Sequence, residues 1–162
     1  MNSTQMVLRD LFDETFAELQ RMQVLLEQEA FNLKGNHADA LNRTTQQKEA
    51  VANSLEALAN RQENLLRALK LPAGKEGIEA VLSTLPATDP TTTTVRTIWL
   101  AIIRLTATCQ KLNEINGSYI GLLRQHVRRS LDILHGQSSQ DVVYGPDGLG
   151  RHPEPSRKLL SA

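Results

Sequence analysis

The side chains able to do chemistry are few in this chain, and their spacing is wrong for it. The four histidines are His37, His126, His135 and His152, and no two lie four residues apart. No HExxH and no cysteine–histidine cluster occurs, so the ligand spacing of a zinc site is missing. Cys109 is the only cysteine. A catalytic thiolate needs exposure and cationic neighbours, whereas Cys109 falls on the apolar face of a helical pattern and reads as a small buried hydrophobe. Gly145, Gly148 and Gly150 form a glycine-rich stretch, but with no strand read before it and no helix after it. A phosphate cradle needs that setting. Arg124, Arg128 and Arg129 could touch phosphate. With no interleaved aromatics, and 18 basic residues against 18 acidic, they read as a solvated helix face. The expectation is no catalytic residue, no metal, no cofactor and no nucleic-acid partner.

Composition points instead to packing. Hydrophobic residues make up 40% of the 162, yet aromatics only 4%, so the core must be aliphatic. That suits helical bundles better than sandwiches, which draw on β-branched and aromatic strands. One cysteine excludes an internal disulfide. The start, Met1-Asn2-Ser3-Thr4 followed by Arg9, Asp10, Asp13 and Glu14, has no apolar signal region. The longest apolar run, Ile98 to Ile103, is too short to span a bilayer. A cytoplasmic protein without membrane insertion is expected.

The elements follow from heptad spacing. From about Ser3 to Lys34, Leu8, Phe12, Thr15, Leu19, Met22, Leu26, Glu29 and Leu33 are spaced alternately four and three, the seam of a helix packed along its length. Gly35-Asn36 ends it, both tolerating a left-handed backbone. A second helix is predicted from about Ala38 to Leu71, stopped by Pro72. The two should form an antiparallel hairpin. A short amphipathic helix, about Lys75 to Leu85, turns the chain, with Pro86 and Pro90 bracketing a break. Thr91 to Thr94 supply candidate N-caps for the longest helix, about Thr93 to His135. The fold class is therefore all-α: an antiparallel bundle of three long helices, one short helix and a flexible C-terminal tail. The domains are 1–136 for the bundle and 137–162 for the tail, whose composition is poor in core-forming residues.

Three features qualify this plan. The long helix, at about 43 residues and 64 Å against about 32 and 48 Å for the first, should outrun its partners. That leaves Val127, Leu131 and Leu134 incompletely covered, a docking stripe. The first helix is acidic and the long helix basic, so complementary flanks favour their pairing, at no more than about 1 kcal/mol per exposed pair. Polar residues interrupt the seams at Glu29, Lys48, Gln62 and Asn116. Lys48 and Asn116 fall at similar heights, so a shared polar layer reaching Glu29 is expected. Asn113 lies one turn before Asn116. Gly117 sits mid-helix at a cost of about 1 kcal/mol against alanine, consistent with a close crossing or kink, or with contact to a partner.

Taken together, Lys48 and Arg61 in the second helix, Trp99 early in the long one, Asn113-Glu114-Ile115-Asn116-Gly117 and Tyr144-Gly145-Pro146-Asp147-Gly148 resemble the FlgN-like flagellar export chaperones. The resemblance spans nearly the whole chain. It implies a cytosolic, non-catalytic chaperone of bacterial type III export, using neither nucleotide nor metal. Such proteins bind C-terminal helical segments of flagellar hook-associated proteins, prevent their early assembly and deliver them to the export apparatus. Client contact is expected on Ile120, Leu123, Val127, Leu131 and Leu134. Docking at the export gate is expected on Val142, Val143 and Tyr144, an apolar knot in a polar tail. The alternative is a self-associating helical adaptor without an export client, and homo-oligomerisation stays open. An enzyme would need convergent titratable groups in a pocket; a nucleic-acid regulator would bind with steep salt dependence.

Overall fold

The computed structural model describes residues 3–134, 143–144 and 150–151. Its elements are α1 (Ser3–Gly35), α2 (Ala38–Ala68), α3 (Lys75–Thr84), α4 (Pro90–Leu134), β1 (Val143–Tyr144) and β2 (Gly150–Arg151). Three long helices and one short helix answer to the predicted bundle. β1 and β2 pair antiparallel, Val143 opposite Arg151 and Tyr144 opposite Gly150. The chain divides into two units, Met1–Tyr119 and Ile120–Ala162.

Within the first unit, register follows the heptads. Bonds between α1 and α2 join residues 47, 19 and 12 positions apart, at Glu14–Arg61, Glu29–Lys48 and Asn32–Thr44. The separation shrinks toward the turn, as an antiparallel hairpin requires. Contacts between α1 and α4 instead keep a constant offset. Gln5 meets Thr92 at 87 residues, Cys109 meets the Leu19 carbonyl at 90, and Asn116 meets Glu29 at 87. A constant offset means parallel helices in matched seams. The shared core holds Leu8, Phe12, Leu19 and Leu26 of α1, Leu66 of α2, and Val95, Trp99, Ile102 and Leu105 of α4. Each such buried side chain is worth about 1.5–3 kcal/mol. Phe12 and Trp99 stack with ring centroids 5.3 Å apart.

α3 closes one end of this unit. Its Ile78, Val81 and Leu82 are buried in the same core. Gly77 lies so close to the second helix that an added Cβ would sit 1.9 Å from the Pro72 carbonyl oxygen and 2.9 Å from Leu66. Arg96 of α4 donates to the Leu82 carbonyl at 2.8 Å, beside the Leu85 amide that also bonds it at 3.4 Å, and so ties α4 to the end of α3.

The helix ends carry the corrections. α1 stops at Gly35 with Asn36 left-handed at φ 55; the Asn36 and His37 amides bond back to Leu33 and Asn32, a Schellman closure. α2 was expected to reach Leu71 but ends at Ala68. Lys70 takes φ 57, and the Lys70 and Leu71 amides return to Arg67 and Leu66. This is the same motif with a lysine in the glycine position. The turn drops Leu71 against the core, which offsets a left-handed cost of about 1–2 kcal/mol. α4 starts at Pro90, ahead of the expected Thr93, and threonines do not cap it. Asp89 does, its Oδ1 accepting the Thr91 amide at 2.8 Å. Pro90 is then the first helical residue, where a missing N–H costs nothing; it opens the helix where a break was read. The Thr91 amide and then Gln5 hold the Asp89 carboxyl below its ordinary pKa. Gln5, buried, donates to Asp89 at 3.1 Å and to Thr92 at 2.9 Å, tying the starts of α1 and α4 together.

Candidate functional site

The polar seam residues converge. Glu29 of α1 is buried, and Lys48 of α2 places its ammonium 2.9 and 3.0 Å from the two carboxylate oxygens. Asn116 of α4, also buried, donates to Glu29 Oε2 at 2.8 Å and to the Leu26 carbonyl at 2.9 Å. Lys48 reaches Asn113 Oδ1 at 3.5 Å. Three helices thus contribute to one layer in which a buried carboxylate is matched by an ammonium and an amide. That pairing is what makes a buried charge tolerable. The expected shared layer is present, Glu29 included. Gln62 is half-buried and outside it.

Lys48 and Asn113 also line an open groove of about 540 Å³ between α2 and α4, floored by Met22, Leu26 and Cys109. Burial pushes the Cys109 thiol above its ordinary pKa, with a smaller contribution from Glu27. Its Sγ lies 3.6 Å from the Leu19 carbonyl, and its buried place on the seam gives it packing work. Among the described residues no group of three histidine, cysteine, aspartate or glutamate side chains could hold a metal. Among the described residues, no helix is long and apolar enough to cross a membrane.

Two expectations are narrowed here. Gly117 makes no close crossing: nothing lies within 4 Å of where its Cβ would stand, and the same holds for Gly121. The charged flanks of α1 and α4 do not meet either. The inter-helix ion pairs among the described residues run from α1 to α2, at Glu29–Lys48 and Glu14–Arg61. Matched apolar seams set α4 beside α1, a larger effect than exposed charge.

The late part of α4 presents the apolar stripe. Leu123 is 36% exposed, Val127 55% and Leu131 47%, while Ile120 is half-buried. Leu134 is helical. Leu122 and Ile133 are more exposed still, at 65% and 72%; the seam reading left them out because they lie off the heptad line. Arg124, Arg128 and Arg129 are exposed alongside. Of the tail triplet, Val143 and Tyr144 form β1, and Val142 lies outside the described residues. A long helix ending in exposed leucine, valine and isoleucine can do one thing chemically: bury a complementary apolar surface.

The family model described as FlgN protein matches residues 1–151. The chain belongs to the FlgN family. Membership places it among the flagellar export chaperones. No individual curated protein and no solved structure matches it. The family match includes the Lys48, Asn113, Asn116 and Gly117 positions and the Tyr144 segment. Sequence reading missed two features. One is the Gln5–Asp89–Thr92 cluster. The other is a second apolar line on α1, where Val24 and Phe31 are 51% and 71% exposed. The signal for the second was present, since Ala17, Val24 and Phe31 recur every seven residues off the main seam.

Proposed function

We propose that this FlgN-family protein is a cytoplasmic, non-catalytic chaperone for flagellar hook-associated proteins. It binds their C-terminal helical segments on Ile120, Leu123, Val127, Leu131 and Leu134 of α4 and docks at the export apparatus through Val142, Val143 and Tyr144. The observation that carries the reading is the exposure of Leu123, Val127 and Leu131 on one helix face. A subunit that polymerises through amphipathic helices exposes apolar surface before assembly, and a helix offering a matching stripe shields it. Gly117 and Gly121, with no described neighbour within 4 Å of an added Cβ, let a client backbone approach α4 closely where the stripe begins.

The test is a calorimetric titration with the C-terminal segment of a hook-associated protein. Wild type should bind one to one. Leu123→Ala/Leu131→Ala should weaken binding at least about tenfold, the loss of two buried anchors, and Tyr144→Ala should leave it unchanged. Absence of binding by folded wild type overturns the client assignment. Unchanged binding by the double variant overturns the placement on α4.

A further inference from the structure

The outer side of the α1–α2 hairpin holds a second apolar surface, independent of the α4 stripe. Val24, Gln28 and Gln47 line the shallow groove between the two helices toward the turn, and Val24 continues with Ala17 into the next stretch. Ala17 then leads into a third stretch walled by Ser54 and Ala57. From Ala17 to Phe31 the line is about 21 Å long at helical rise. Phe31, 71% exposed, is an aromatic left outside in a chain with only 4% aromatic residues. Val24 and Phe31, two exposed apolar side chains one heptad apart beside polar groove walls, make this line a candidate interaction surface.

The order of residues along this line identifies the occupant. Counting outward from Val24 in both directions, Arg21 matches Glu27, Gln20 matches Gln28, and Ala17 matches Phe31. Each pair is complementary: cation with anion, amide with amide, small with large. An antiparallel second copy of α1, centred at Val24, would bring every one of these pairs together twice. Such self-complementarity is what a twofold interface requires, and a foreign helix would give no reason for it. Arg21 and Glu27 both line the groove. Arg21 uses only Nη1 on Glu18, and Glu27 uses only Oε1, for Gln23, so each keeps capacity for a partner.

We propose that the outer face of the α1–α2 hairpin is a homodimer interface, with α1 of one copy antiparallel to α1 of a second about a twofold axis at Val24. The Phe31 ring of each copy fills the hollow at Ala17 and Ala57 of the other. The α4 stripe is not part of this interface.

Sedimentation of the full chain across a concentration series tests this, with circular dichroism confirming helicity of each variant. Wild type should pass from monomer to dimer as concentration rises. Phe31→Glu and Arg21→Glu should each raise the dimer dissociation constant at least about tenfold, since each change acts twice. Arg21→Glu/Glu27→Arg, which restores opposite charges across the axis, should recover the dimer. Leu123→Ala/Leu131→Ala should dimerise like wild type. A wild type monomeric at every concentration overturns the proposal and leaves the groove to another protein. A dimer that survives Phe31→Glu and Arg21→Glu, or that is lost in the α4 variant, overturns it by placing the interface elsewhere.

Discussion

Glu29 is the residue on which three helices agree. Its side chain is 5% exposed, and that of its partner Lys48 20%. Removing one member of a buried pair costs more than the pair contributes, because the other charge stays behind. Glu29→Ala should therefore lower unfolding free energy by about 3 kcal/mol. Replacing the whole layer, as Glu29→Leu/Lys48→Met/Asn116→Leu, should return to within about 1 kcal/mol of wild type or exceed it. Chemical denaturation measures both, and a triple variant as unstable as Glu29→Ala would show that the layer itself stabilises. What the layer contributes is register. A slip of α4 by one heptad would set Cys109 or Leu123 against Glu29, leaving the carboxylate without its amide donor.

At the scale of elements, two glycines inside helices act in opposite senses. Gly77 in α3 stands where a Cβ would strike the Pro72 carbonyl oxygen, while Gly117 in α4 faces open space. Gly77→Ala should therefore destabilise by about 1–3 kcal/mol through overpacking. Gly117→Ala should stabilise by up to about 1 kcal/mol, the ordinary gain from removing backbone freedom in a helix. Thermal unfolding of the two variants should shift in opposite directions. If Gly117→Ala also weakens the client complex, the glycine is retained for close approach by the partner, at a cost to α4. The second helix shows the reverse economy: Lys70 accepts a left-handed backbone so that Leu71 can fold onto the core.

For the molecule as a whole, the described hydrogen bonds and ion pairs that link one helix to another join residues of the unit Met1–Tyr119. A chain ending after Gly136 should then keep the helical circular dichroism and the cooperative unfolding transition of the full chain. It should also keep client binding in the calorimetric titration while losing capture by the export apparatus. A truncated chain that unfolds at markedly lower temperature would show that residues beyond 136 belong to the folding unit.

Heptads carried most of the architecture in the sequence itself. Leucines at steps of three and four define the long helices, because an apolar stripe of that period can be buried only along a helix face. The same spacing put Glu29, Lys48 and Asn116 on those faces, and a charge on a seam must find a partner, so the polar layer was legible. Helix ends were less so. Whether the second helix closes at Lys70 or runs on to Pro72, or Asp89 or a threonine opens α4, depends on which residue gains from a fold-back. Leu71 gains from the core, and Asp89 from the Thr91 amide and Gln5, both properties of the assembled bundle. Exposure was legible at Val127 and Leu131, where the long helix outruns the first; elsewhere it belonged to the tertiary structure. Val24, Phe31, Leu122 and Ile133 are as apolar as the core residues beside them, and only the positions of the other helices decide which apolar lines are covered and which are left for a partner.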